Sequence, residues 1–212
     1  MIVIVDYKAG NLRSVERALG RLRVPCMISG STGEILEAER VIFPGVGAAG
    51  RATKDLKESG IDRVLRKVFD RGTPFLGICL GAQIILERSE ENDAGCLGLI
   101  PGTVTRFPST LHGDEGRRLK VPHMGWNGLR LKKHHPVLKG VLETDEFYFV
   151  HAYYPVPARE VHVIGTTEYG IAFPSVIGTR NLLAMQFHPE KSGAPGLRIL
   201  DNFARWDGRH AE

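Results

Sequence analysis

The sequence predicts an α/β fold: a mostly parallel sheet flanked by helices, with antiparallel strands added to it. Three observations lead there. Short β-branched apolar runs alternate with apolar residues at helical spacing through the first half. Two of those runs feed directly into glycine-bearing loops, Pro44-Gly45-Val46-Gly47 and Gly77-Ile78-Cys79-Leu80-Gly81. The second half carries strand-like runs with few helical patterns between them. Alternating strands and helices imply a parallel sheet covered on both faces.

The elements follow in order. Ile2–Asp6 reads as a buried strand, and Leu12, Val15, Leu19 and Leu22 then recur at helical spacing. Cys26–Ser29 and Arg40–Phe43 are the next strands. Leu56, Ile61, Val64, Leu65 and Val68 give one helical pattern up to Gly72. Pro74–Ile78 is a buried strand ending at Cys79, and Gly81–Ser89 reads as a helix. Val104–Phe107, Leu129–Leu131, Phe147–Val150, Val161–Thr167, Ile171–Ile177 and Leu182–Gln186 are the strand-like runs, read as antiparallel additions. Gly196–Trp206 is a closing helix, and residues 108–120 an exposed loop. No repeat, low-complexity tract or linker divides the chain, so residues 1–212 read as a single domain.

Composition narrows the function classes. Lys plus Arg number 28 against 24 for Asp plus Glu, a net charge of +4 that is scattered rather than striped. This argues against a nucleic-acid binder. Three cysteines without metal-ligand pairing argue against both a disulfide framework and a zinc site. No apolar run approaches the ~20 residues that span a bilayer, and MIVIVDY lacks the features of a signal peptide. The sequence reads as a soluble cytoplasmic protein that needs no metal or cofactor.

The chemistry concentrates in two segments. In Gly77-Ile78-Cys79-Leu80-Gly81, a nucleophile flanked by glycines sits between a strand and a helix, the pattern of a tight turn that lifts a side chain above the sheet edge. The turn points the thiol at a helix N-terminus, which favours thiolate, and the Leu80 N–H can face an oxyanion. The base comes from Gln186-Phe187-His188-Pro189-Glu190. A strand ends there, at the carboxyl edge where such sheets bind ligands. A carboxylate on one imidazole nitrogen leaves the other for the thiol. The Phe43–Gly47 loop suits either an anion cradle or, the better reading, a second oxyanion donor through Val46 and Gly47. His134 and His135 read as solvated.

These residues resemble the class I (triad) glutamine amidotransferases, through GICLGAQ and QFHPE. The resemblance covers nearly the whole chain. It implies a flavodoxin-like sheet, glutamine as substrate, Cys79 as nucleophile, His188 as general base and acid, and Glu190 as its orienter. Gly47, Gln83, Glu91, His151, Ala152 and Tyr153 fall where the family holds glutamine; many relatives carry Ser at the position of Ala152. The segments DYKAGNLRS, PGVGAAG, SEEN, VPHMGWN, YFVHAYY and HPEKSG are similar to one branch. That branch passes ammonia to a (β/α)8-barrel cyclase subunit of histidine biosynthesis. Asn11, His123, Trp126, Tyr148 and Lys191 match segments used at or near that heterodimer interface. The alternatives are a paralogue feeding a different synthase and a binding module on the same fold; the intact triad argues against the second.

Overall fold

The computed structural model describes residues 1–8, 10–113 and 116–209. Ala9 of the DYKAGNLRS string, Asp114 and Glu115 of the loop at 108–120, and His210 lie outside the described residues.

Five strands run parallel: β1 (Ile2–Val5), β2 (Cys26–Ser29), β3 (Arg40–Gly45), β4 (Phe75–Cys79) and β14 (Leu182–Met185). They stand in the order β2-β1-β3-β4-β14, each paired in parallel with its neighbour. Three antiparallel strands extend the sheet beyond β14: β13 (Ala172–Thr179), β12 (Val163–Glu168) and β9 (Arg130–Leu131). The Leu182–Met185 run therefore belongs to the parallel core rather than to the antiparallel addition. Its four fully buried residues are those of a strand covered on both faces.

Alternation along β1 sends side chains to two cores. Val3 and Val5 join Val41, Phe43 and Phe75 beneath α2 (Thr32–Leu36), α3 (Ala49–Ser59), α4 (Ile61–Asp70) and α5 (Leu80–Ile84). Ile2 and Ile4 join Ile42, Leu76 and Ile78 beneath α1 (Leu12–Arg21) and α6 (Gly193–Arg205). The period of two in a strand places neighbours on opposite faces, so both layers rest on the same few residues.

Two helical expectations change. The single helix read up to Gly72 is two, because Gly60 adopts φ 73°, outside the right-handed helical region. The helix after Cys79 stops at Ile84, and Arg88–Ser89 forms β5 instead. The carbonyls of Ile84, Ile85 and Leu86 accept from the N–H groups of Leu97, Leu99 and Gly98, which ends the helical ladder. β5 enters a second sheet ordered β11-β7-β5-β6, with β6 (Ala94–Gly95), β7 (Gly102–Arg106) and β11 (Tyr153–Pro157). β11 contains Pro155 and Pro157, which an edge strand tolerates. β8 (His123–Gly128) pairs antiparallel with β10 (Glu146–His151), opposing Trp126 to Tyr148. Its glycines and polar residues hide it from any alternation test.

Gly81 has no room for a side chain: a Cβ there would overlap the Phe43 carbonyl oxygen. Gly81→Ala is expected to lower unfolding free energy by about 2 kcal/mol or more through forced backbone displacement. Urea denaturation of the variant measures this.

Candidate active site

The site lies at the carboxyl ends of β3, β4 and β14. Parallel register sets Gly45 beside Cys79 and Met185 beside Ile78, so the loop after β3 and the residues after β14 flank the thiol. Cys79 closes β4 and caps α5 with φ 54° and ψ −109°. Such backbone costs on the order of 1–3 kcal/mol and persists where packing over-determines it. Here Gly77 packs against Ala184 and Gly81 against the Phe43 carbonyl. Cys79 is 7 % exposed. Leu80 is the first residue of α5, so its N–H has no partner within the helix.

His188 follows β14 and is 1 % exposed. Its N–H donates to the Tyr148 carbonyl at 2.9 Å, and its own carbonyl accepts from Ser192 Oγ at 2.6 Å. Tyr148 N–H donates to the same hydroxyl at 3.0 Å. Nδ1 meets Glu190 Oε1 at 2.7 Å, and the Glu190 side chain has no exposure. Nε2 has no hydrogen-bond partner among the described residues and is left for the thiol. Burial works against the imidazolium, but the neighbouring Cys79 and Glu190 outweigh it and raise the His188 pKa to about 10. The imidazole is thereby biased toward its charged form and held in one orientation.

Val46, Gly47 and Ala48 are exposed, and Gly47 has φ 100°. Val46 Cγ2 would stand 3.2 Å from a Cβ on Gly10, so the loop after β1 packs against the loop after β3. That first loop also ends in Asn11, whose Nδ2 donates to Glu190 Oε1 at 2.7 Å. Asn11, assigned from sequence to a partner face, is half-buried and reaches the carboxylate.

The six expected glutamine contacts divide. Gln83 is buried, with Nε2 donating to the Tyr153 carbonyl and to Gln186 Oε1, both at 2.9 Å. Glu91 accepts from Ala49 N–H at 2.7 Å, two residues beyond Gly47 in the chain. The Ala152 carbonyl is taken by Phe107 N–H. His151 is buried with both ring nitrogens engaged: its Nδ1 meets the Tyr153 carbonyl at 2.8 Å and its Nε2 meets His123 Nδ1 at 3.1 Å. Burial lowers the His151 pKa to about 3 and that of His123 to about 4.

The expected partner residues divide too. Trp126 is 54 % exposed, with its ring 6.0 Å from that of Tyr148, and Lys191 Nζ lies 5.7 Å from the Tyr148 ring centroid. Met124, unassigned from sequence, is 62 % exposed on the same strand. His123 is 2 % exposed and stacks on Phe149 and Tyr169, so its ring offers nothing to a partner. His135 is also buried rather than solvated, edge-on to Trp206 and accepting from Val137 N–H. Sequence reasoning missed Ser192 and Gln186 as site residues. Both sit inside the HPEKS and QFHPE strings, where a neighbour two or four residues from a histidine was the available signal.

Residues 3–206 match the family model for glutamine amidotransferase class-I. The chain belongs to that family. Within it, three similar relatives carry the name imidazole glycerol phosphate synthase subunit HisH. The Nitratidesulfovibrio vulgaris protein is 50% identical over 206 residues, 97% of this chain and 96% of that one. The Desulfovibrio desulfuricans protein is 50% identical over an alignment of 218 residues that spans both chains fully. The Geobacillus thermodenitrificans protein is 46% identical, covering 96% of this chain and 94% of that one. Among solved structures, a glutamine amidotransferase superposes with TM-score 0.71 at 22% identity, covering 97% of this chain and 100% of that one. The PurLQS structure from Thermotoga maritima gives TM-score 0.73 at 17% identity, covering 96% and 97%. At those identities the structures establish the fold.

The buried histidines make stability depend on pH in opposite senses. Unfolded, each titrates near the ordinary 6.5. Folded His123 and His151 refuse protons until about pH 4 and pH 3, so acid below 6.5 favours unfolding. Folded His188 keeps its proton to about pH 10, so its contribution is complete below 6.5 and lost as pH rises through 10. Urea midpoints of wild type are expected to fall between pH 7 and pH 4, and those of His151→Gln to fall less.

Proposed function

We propose that this chain is the glutaminase subunit of an imidazole glycerol phosphate synthase, with Cys79, His188 and Glu190 as its triad. The observation that carries the chemistry is the buried His188–Glu190 contact of 2.7 Å beside Cys79. The names of relatives 50% identical along the full chain carry the assignment to that synthase.

The Cys79 thiolate attacks the side-chain carbonyl carbon of glutamine. The carbonyl electrons move to oxygen, and the oxyanion is met by N–H groups of Leu80 and of the Val46–Gly47 loop. Each such donor is worth about 2.7–4 kcal/mol of barrier. The C–N bond then breaks as imidazolium His188 protonates the departing nitrogen, releasing ammonia and leaving a thioester. His188, now neutral, takes a proton from water; the hydroxide attacks the thioester, the thiolate leaves, and glutamate forms. Glu190 keeps the ring oriented and balances its charge throughout. Gly47, Gln83, Glu91 and Tyr153 line the approach to Cys79, with Ala152 contributing through its backbone.

Ammonia passes to a (β/α)8-barrel cyclase in a heterodimer. The cyclase makes imidazole glycerol phosphate and aminoimidazole carboxamide ribotide in histidine biosynthesis. Trp126, Tyr148, Lys191 and Met124 form the docking face, with Asn11 behind it. Three unpaired cysteines suit a reducing cytoplasm; among the described residues no helix is long and apolar enough to cross a membrane. The Val46–Gly47 peptide is misaimed in the free subunit and corrected when the cyclase binds its nucleotide.

Incubation with a glutamine-analogue electrophile should add one adduct at Cys79 and leave Cys26 and Cys96 unmodified by peptide mass spectrometry. Adduct formation elsewhere removes the nucleophile assignment. Trp126→Ala combined with Lys191→Ala should weaken cyclase binding about tenfold or more, since exposed aromatics anchor interfaces. Isothermal titration with the cyclase reads that loss, and unchanged affinity moves the interface elsewhere.

A further inference from the structure

Two buried side-chain amides, one of them against the thiol, and a backbone carbonyl fix one another's direction. A backbone carbonyl only accepts hydrogen bonds, and the Tyr153 carbonyl takes Gln83 Nε2 at 2.9 Å. That contact settles which end of the Gln83 amide is nitrogen. The same nitrogen meets Gln186 at 2.9 Å, so the Gln186 atom facing it is the oxygen. The other end of the Gln186 amide must then be the NH₂ group, and it lies 3.7 Å from Cys79 Sγ. Gln186 is 0 % exposed and Gln83 5 %, so water does not compete for either amide. The Gln186 backbone is held as well, by its N–H to the Ser175 carbonyl at 2.8 Å.

We propose that Gln186 is a further catalytic residue of this site, donating a side-chain N–H to the Cys79 sulfur and favouring thiolate over thiol. The inference rests on Cys79 being the nucleophile. A donor to sulfur stabilises the thiolate more than the thiol, because the thiol sulfur is a weak acceptor and hydrogen bonds to charged groups are the strong ones. His188 supplies the charge opposite the thiolate; Gln186 supplies a fixed dipole that does not depend on the proton His188 gives away. The thiolate leaving group of the second half-reaction meets the same donor.

The test uses the full chain and three variants, Gln186→Met, Gln186→Glu and Gln83→Met, each checked for cooperative melting. Iodoacetamide alkylation is followed from pH 5 to pH 9.5 on the Cys79 peptide, with Cys26 and Cys96 as references. Gln186→Met keeps the shape and removes the donor, and should slow Cys79 alkylation about tenfold at pH 6–7. Its rate should converge on wild type at pH 9.5. Gln186→Glu should shift the profile further, and Gln83→Met, which frees the Gln186 amide to turn, in the same direction by less. In the glutaminase assay, run with the barrel cyclase and its nucleotide present, kcat should fall for Gln186→Met while KM stays within about twofold. Unshifted Cys79 profiles in the Gln186 variant or variants that fold overturn the inference, and so does a rise in KM alone. If neither folds, an unshifted profile in Gln83→Met overturns it. Cys79→Ala separates the two failures. Glutaminase that survives in that variant removes the nucleophile itself, whereas its loss beside unshifted Gln186 profiles removes only this inference.

Discussion

A carboxylate without water must be compensated inside the protein, and Glu190 sets that demand for the whole site. Stripping a carboxylate of water costs about several kcal/mol. Glu190 Oε1 recovers it from two directions, His188 Nδ1 and Asn11 Nδ2, each at 2.7 Å. The first contact raises the imidazole's proton affinity and fixes its ring. The second ties the carboxylate to the start of α1, so the β1–α1 loop, the end of β14 and the end of β4 have to meet at one point. The parallel order β2-β1-β3-β4-β14 brings those ends to one edge of the sheet.

The same contacts link the site to the surface. His188 hangs from the Tyr148 carbonyl, and Ser192 joins the two by accepting from Tyr148 N–H while donating to the His188 carbonyl. Tyr148 opposes Trp126 across the β8–β10 pair and lies under Lys191. A body docking on Trp126 would therefore press on the strand that positions His188. Gly10 packs against Val46 while its neighbour Asn11 holds Glu190, giving a second mechanical route between the exposed loop and the His188–Glu190 pair. The first route runs through the Tyr148–His188 backbone hydrogen bond and the Ser192 hydroxyl, the second through the side chains of Val46, Asn11 and Glu190.

Much of this was legible in the sequence. Parallel strands announced themselves because burial on both faces requires continuous apolar runs, as in Ile2–Val5 and Phe75–Cys79. The elbow was legible because only glycine fits at Gly77 and Gly81. The Gly60 break passed unseen: the apolar positions on either side continue one helical pattern, and one positive φ interrupts it without changing the period. β8 and β11 were invisible to alternation because glycine and proline interrupt them. The burial of His123 and His151 was not legible either, since it depends on ring packing with Phe107 and Phe173, residues distant in sequence. Gln186 was quoted only as part of a motif; its role depends on a backbone carbonyl more than thirty positions away.

The most direct measurement is glutamate production from glutamine by wild type and Cys79→Ala, each alone and with the barrel cyclase and its nucleotide. The triad and the partner assignment together predict turnover that rises strongly with the liganded cyclase and disappears in Cys79→Ala. Glutaminase activity indifferent to that cyclase would contradict the partner, and activity retained by Cys79→Ala would contradict the triad.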